Sequence, residues 1–468
     1  MSNTSPYAAT LGEQPSPKKR FRWRLIVAIF VLPIVTLWLV VFLFRVGWTI
    51  RENQGRGEMA SKLHQLADDG FAIDNETISE QYASRTSNEN TQQWIDVFAV
   101  RESSQFAESA LGVPMLDGKV EIDDFADDFE MSNNWKYADA CIRFTREQND
   151  LIEQVRQLAS DPTPVYFPIH FQSTETLLPE VQSCRDVARM IRVDAQVAIH
   201  LMDTDRAFKD LITLFALTKQ VEAVPCAIPK FVGIAIRRMA IQILQRAIQL
   251  DLFTEQQLLE IDQIIKPHCD IGARWQTIMI DEMALSLPVF VNPGISMQFS
   301  KPIPARGHDA VYFIDLMRRA REIPTDDWQK LYTSTLELET EISKSVKSIR
   351  KVDLILTGIV SPAFNAIAVG LINDSQLHRQ ARVAIAIRLY SHKHSELPSS
   401  LDQLPEYADG VLNPIGDRSF GYIVTNRQSV LWGFYFSKEQ QQTPPTLPVT
   451  DQPNQESSRN RESVWWFD

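Results

Sequence analysis

The chain has 468 residues, 44% of them hydrophobic, which allows a sizeable core and two or three domains. Its formal net charge of -12 excludes a nucleic-acid partner, because phosphate binding needs a basic surface. Glycine is scarce at 17 residues, and the abundance of Leu, Ile, Ala, Gln, Glu and Arg predicts a mainly α fold.

Residues 1–17 are polar and read as disordered. Lys18, Lys19, Arg20, Arg22 and Arg24 then crowd in front of Leu25–Phe44, LIVAIFVLPIVTLWLVVFLF. That run has 20 residues and no charge, and sixteen of them are Leu, Ile, Val or Phe. At about 1.5 Å per residue it spans about 30 Å, the hydrocarbon thickness of a bilayer. Pro33 stands inside it, which a bilayer helix tolerates. Trp23 and Trp48 flank it at interfacial positions. The run is too long for the apolar region of a signal peptide, and RVGWTI after it offers no small-residue cleavage site. Arg45, Arg51 and Arg56 behind the run are more scattered than the five basic residues before it. The expectation is therefore an uncleaved anchor with a cytoplasmic N-terminus and an acidic body on the far side. Its lipid contact would be Leu25–Phe44.

Behind the anchor, Gly57–Asp69 and Ser87–Leu111 read as helices. Glu121–Glu130, EIDDFADDFE, reads as an amphipathic helix with a solvated acidic face; its spacing matches no EF-hand loop. Asn134–Ser160 is helical by pattern, and from about 178 to 286 the chain reads as an antiparallel helical array. Thr254–Gln257, TEQQ, is a capping box. A Pro- and Gly-marked loop (about 288–308) precedes helices at about 309–322 and 326–351. Leu354–Ile372 is uncharged over 19 residues, but only ten are Leu, Ile, Val or Phe, and Pro362 and Asn365 interrupt it. A buried core segment is expected there rather than a second span. A helix over Asp374–Glu396 follows.

Cys141, Cys184, Cys226 and Cys269 are separated by 43, 42 and 43 residues, roughly the period of a helical-hairpin repeat. Their flanking sequences are dissimilar, so the spacing reads as coincidence and the cysteines as buried thiols. Two charges conflict with the patterning of the array. At 100° per residue Arg185, Arg189, Arg192, Gln196 and His200 share a solvent stripe, while Asp194 points the other way, among Val187, Met190 and Ile191. Arg237 likewise lies beside Ile241, Leu244 and Ile248. A lone buried charge is costly, so both are expected to find partners inside the array, with a mutual pair as one arrangement. We read both as structural. Phosphate-loop, dinucleotide, zinc-protease and nucleophile-elbow motifs are absent from the sequence. His392 and His394 suit the dipole at a helix C-terminus. No catalytic residue, metal ligand or cofactor is assigned.

The helix ending near Glu396 is followed by Leu397-Pro398, a Ser-Ser-Leu-Asp-Gln-Leu element, and the turn Asn413-Pro414-Ile415-Gly416. A strand then leads across TNRQS to Val430–Phe436, and Val464–Asp468, VWWFD, is apolar enough to return as a third strand. Over about 389–468 this layout resembles the C-terminal module of type II secretion pseudopilins. It also resembles the ending of uncharacterised bacterial membrane-anchored proteins with helical bodies. The chain lacks the pseudopilin N-terminal processing motif, and its turn carries Asn413 and Ile415 where that family has Asp and an aromatic residue. It also lacks the Gly/Asp loop that would hold calcium.

The organisation expected is thus a basic tail (1–24), a transmembrane anchor (25–44) and an α-helical extracytoplasmic body (45–396). A small module of a β-hairpin or three strands (397–468) follows, with a disordered excursion about 439–460. The function expected is a single-pass, membrane-anchored scaffold or interaction protein of the bacterial inner membrane, with envelope proteins as partners. The alternatives are a secretion or pilus accessory subunit, or an extracytoplasmic hydrolase with a pocket between helices.

Overall fold

The computed structural model describes residues 32–118, 135–173, 175–291, 306–347, 354–404, 412–413, 418–424, 429–433 and 464–467. The basic tail, the first residues of the apolar run, the acidic stretch 121–130, the excursion 439–460, Pro414 and Gly416 lie outside them.

The protein is mainly helical. Helix α1 (Leu32–Asp68) opens it, followed by α2 (Asn75–Ser84), α3 (Thr91–Arg101), α4 (Ser104–Ser109), α5 (Ala138–Glu147) and α6 (Asn149–Ala159). Three long helices follow, α7 (Pro179–His200), α8 (Thr204–Glu222) and α9 (Ala227–Gln249), packed on one another through short connections. Helix α10 (Glu255–Ile265) runs into a 3-10 turn (Lys266–Cys269). Then come α11 (Gly272–Val291), α12 (Arg306–Arg321), α13 (Trp328–Lys347), α14 (Ile355–Val360) and α15 (Phe364–His394).

Local chemistry sets many of the boundaries. The Asp203 carboxylate accepts from the Arg206 amide to start α8, and Thr254 and Gln257 form the reciprocal box expected at α10. The pattern over Ser87–Leu111 breaks into α3 and α4 because Ser103 caps a new helix through the Phe106 amide. Asn134–Ser160 breaks at Gln148 into α5 and α6. Helix α11 continues past Pro288, where the sequence predicts a stop, to Val291.

Two apolar clusters fill the interior. The first gathers side chains from α2–α10, and the second gathers α11–α14 with Met59, Leu63 and Leu66 of α1. Helix α15 belongs to both: Phe364, Ile367 and Leu371 enter the second cluster, and Leu377, Val383 and Ile387 the first. The segment 354–372 is thereby accounted for. Leu356, Val360, Phe364, Ile367, Ala368, Leu371 and Ile372 are all buried, with Ser361–Ala363 breaking the helix around Pro362.

At the C-terminal end, β1 (Leu412–Asn413) pairs with β2 (Arg418–Ser419), which sets Asn413 opposite Arg418. Strands β3 (Gly421–Val424), β4 (Ser429–Trp432) and β5 (Val464–Phe467) form an antiparallel sheet in that order. Trp465 and Phe467 of β5 are fully buried in the first cluster.

Helix α1 is where the fold departs most from the sequence reading. An anchor followed by a separate helix at Gly57–Asp69 is expected, but one unbroken helix of 37 residues crosses that boundary. The linking residues contain no proline, and an Arg56–Glu52 pair (2.9 Å) spans one turn of them. Its first half is bare: Leu32, Leu37, Trp38, Phe42, Phe44 and Ile50 are all exposed. Its second half packs against α12, with Lys62 bonded to Asp315 at 2.6 Å. The two helices cross at glycines. A Cβ on Gly55 would stand 2.8 Å from the His308 amide nitrogen, and one on Gly307 would strike the Gly55–Arg56 backbone. Replacing Gly55 by Leu should therefore cost about 1–3 kcal/mol through overpacking. Gly57→Leu, which meets nothing within 4 Å, should cost nothing measurable. Denaturant midpoints of the detergent-solubilised chain would distinguish the two variants.

Candidate functional site

Two networks of buried charge stand inside the helical body. The first surrounds Asp194, which α7 aims into the core as the wheel predicts. Arg156 of α6 donates from Nη2 to Asp194 Oδ2 (2.5 Å) and from Nε to Asp210 Oδ1 of α8 (2.8 Å). Arg206 bonds Asp194 from the other side through Nε (3.0 Å) and Nη2. Burial and the neighbouring Asp194 carboxylate push the Asp210 carboxyl well above the usual range, and Arg156 opposes them. The stripe assigned to solvent on α7 is partly covered. Gln196 is buried, and burial lowers the Arg192 guanidinium to about 10. The reason is that α3, α5, α6, α8 and α9 all pack on α7.

The second network lies where the two apolar clusters meet. Arg237 of α9 is fully buried. It donates from Nη1 to Glu222 Oε1 (2.6 Å), and from Nη2 (2.9 Å) and Nε (3.2 Å) to Asp374 Oδ2 of α15. Arg274 of α11 donates to the same oxygen at 2.6 Å. One turn later His378 Nδ1 donates to the Asp374 carbonyl (2.6 Å). The His378 ring stands 5.2 Å from that of His268, and Phe215 closes the stack. Burial raises the Asp374 carboxyl, but Arg237 and Arg274 outweigh that and hold it well below the usual range. Burial lowers Arg237, yet Asp374 and Glu222 raise it more. Burial, against the opposing pull of Asp374, lowers His378 to about 4. Burial, His378 and Arg237 lower His268 to about 2.

Asp194 and Arg237 thus each find partners, but in separate networks rather than in each other. The sequence reading misses the groups that complete them. Asp210 carries a usable signal, since Ala207 and Leu214 on its face are buried. Asp374 carries none, because α15 mixes apolar and polar residues around its whole circumference and no apolar stripe marks a charge as inward. Cys141, Cys184, Cys226 and Cys269 are free and buried, and burial raises Cys141 and Cys226 to about 12, far from a reactive thiolate. Among the described residues no group of three or more His, Cys, Asp and Glu could hold a metal ion. A cleft between α1, α11 and α12 is lined by Leu66, Phe71, Met279 and Met283, but its Lys62 is tied to Asp315 and its Arg321 lies over Phe71.

No family model, curated protein or solved structure matches this chain. What the networks can do is therefore read from their geometry, which is charge compensation among buried and partly buried side chains. Asp374→Ala strips Arg237 and Arg274 of their shared carboxylate and should cost about 3–5 kcal/mol by chemical denaturation. Adding Arg237→Met should recover part of that loss.

The histidines make stability depend on pH. Both are neutral when folded and take up protons more readily unfolded, so the unfolded state binds more protons below about 6.5. Stability conferred by keeping them neutral is lost as pH falls from about 6.5 toward 4 for His378, and further for His268. Asp210, Asp281 and Glu282, whose carboxyls are raised first by burial, act in the opposite sense, so the comparison must be with a variant. Between pH 6 and pH 5, stability of His378→Gln should fall less than that of the parent, by about 1.2 kcal/mol.

Proposed function

We propose that this chain is a membrane-anchored scaffold or interaction protein of the bacterial cell envelope. Leu25–Phe44 crosses the inner membrane with the N-terminus in the cytoplasm, and the helical body stands outside. The observation that carries this reading is α1 itself. Residues 32–47 are exposed throughout, and its other half is built into the second apolar cluster through the Gly55–Gly307 crossing. Water would penalise such a bare apolar half, and a bilayer removes the penalty. Asp194 and Arg237 are buried and each is committed to charged partners, which supports structural roles for them over a hydrolase pocket.

A second reading, an accessory subunit of a secretion or pilus apparatus, is favoured by the C-terminal sheet. Its strand, hairpin partner and returning strand follow the layout that the pseudopilin-like resemblance implies. Co-purification with secretion components would support it.

In cells, the chain should stay with membranes through alkaline carbonate washing, and protease added to spheroplasts should digest the body. Release by carbonate, or a body protected until the membrane is lysed, would overturn the leading reading.

A further inference from the structure

The cleft between α1, α11 and α12 has an apolar floor. Leu66 comes from the end of α1, Met279 and Met283 stand one turn apart on α11, and Ile314 and Met317 come from α12. Met279, Met283 and Met317 are buried, and flexible thioethers adapt to an irregular apolar guest. The cavity measures about 60 Å³. One water needs about 10–15 Å³, so about four to six non-hydrogen atoms fit. Charges ring the mouth, and most are committed. Lys62 is bonded to Asp315 at 2.6 Å, Arg318 meets Glu322 at 3.6 Å, and just outside His64 meets Asp68 at 3.5 Å. Asp69 and Arg321 also line the cleft, and among the described residues neither has an ionic partner. Arg321 stands over the Phe71 ring, 5.1 Å from its centre. A guanidinium held over an aromatic face keeps N–H donors at its edge for a carboxylate. Asp69 is exposed and directly follows α1, whose last turn contains no basic residue. The negative end of that helix dipole therefore adds to the Asp69 carboxylate. Only Gly70 separates Asp69 from Phe71, so the two unanswered charges are near neighbours that do not bond to each other.

We propose that this cleft binds a free α-amino acid with a medium-sized apolar side chain, of which leucine is the type. Its ammonium meets Asp69 and the end of α1, its carboxylate meets Arg321, and its side chain fills the methionine-lined floor. A zwitterion answers both lone charges at once. An aliphatic acid leaves Asp69 unanswered, and an aliphatic amine leaves Arg321 so. The site begins about 27 Å beyond Phe44, at the level of Lys62, counting about 1.5 Å per residue along α1. It is clear of the exposed apolar half and does not depend on the anchor reading. An occupant ties the end of α1 to α11 and α12, the two helices that wall the cleft with it.

The test is calorimetric titration of the detergent-solubilised full chain with L-leucine, blanked against micelles alone. L-leucine should bind with a Kd below about 1 mM. Glycine, isocaproate and isopentylamine lack the apolar side chain, the ammonium and the carboxylate in turn. Each should bind at least about tenfold more weakly. Asp69→Asn should weaken leucine about tenfold and leave isocaproate unchanged. Arg321→Gln should weaken leucine about tenfold and leave isopentylamine unchanged. Asp68→Asn, an exposed carboxylate outside the cleft, should change none of these. Far-UV circular dichroism of each variant, unchanged from the parent, separates a lost contact from a lost fold. Absence of leucine binding to the folded parent overturns the proposal. So does isocaproate binding as tightly as leucine, leucine binding that survives both cleft variants, or a loss on Asp68→Asn as large as that on Asp69→Asn.

Discussion

The guanidinium of Arg237 is the group around which the body has to be arranged. A fully buried cation is tolerable only when carboxylates meet it at hydrogen-bonding distance. Glu222 comes from the end of α8 and Asp374 from the middle of α15, and Arg274 of α11 shares Asp374. Four helices, α8, α9, α11 and α15, are thereby fixed in register at one point. Apolar packing alone is permissive about small rotations and slides, whereas directional hydrogen bonds from one guanidinium to two carboxylates are not. The Asp194 network does the same for α6, α7 and α8. Both networks explain how an acidic chain keeps carboxylates in its interior.

The other constraint is the junction with the exposed apolar half of α1. A loose linker would let the body swing freely about that half. An unbroken helix with a backbone-to-backbone crossing removes that freedom. The crossing depends on two residues whose only qualification is the absence of a side chain, and Arg56–Glu52 and Lys62–Asp315 flank it. The orientation of the body relative to the apolar half is then a property of the fold.

Much of the architecture was legible in the residues, and the failures have physical causes. The apolar run, the capping box at Thr254 and the inward position of Asp194 follow from periodicity and local hydrogen bonding, which act over a few residues. The continuity of α1 was not legible, because Gly55 and Gly57 weaken local helix propensity and only tertiary contact restores it. The pairing of Asp194 and Arg237 was not legible either. A helical wheel says which way a side chain points and nothing about which distant helix meets it. His268 and His378 were missed for the same reason, being 110 residues apart and juxtaposed only by the packing of the 3-10 turn on α15.

Helix α15 has one more implication. Its first turns wall one apolar cluster and its later turns the other, so neither cluster keeps a complete lining if the helix frays. Shared masonry of this kind makes two lobes melt as one. Heat or denaturant that loosens either half withdraws the common wall from its neighbour, and calorimetry would record a single endotherm rather than a staircase.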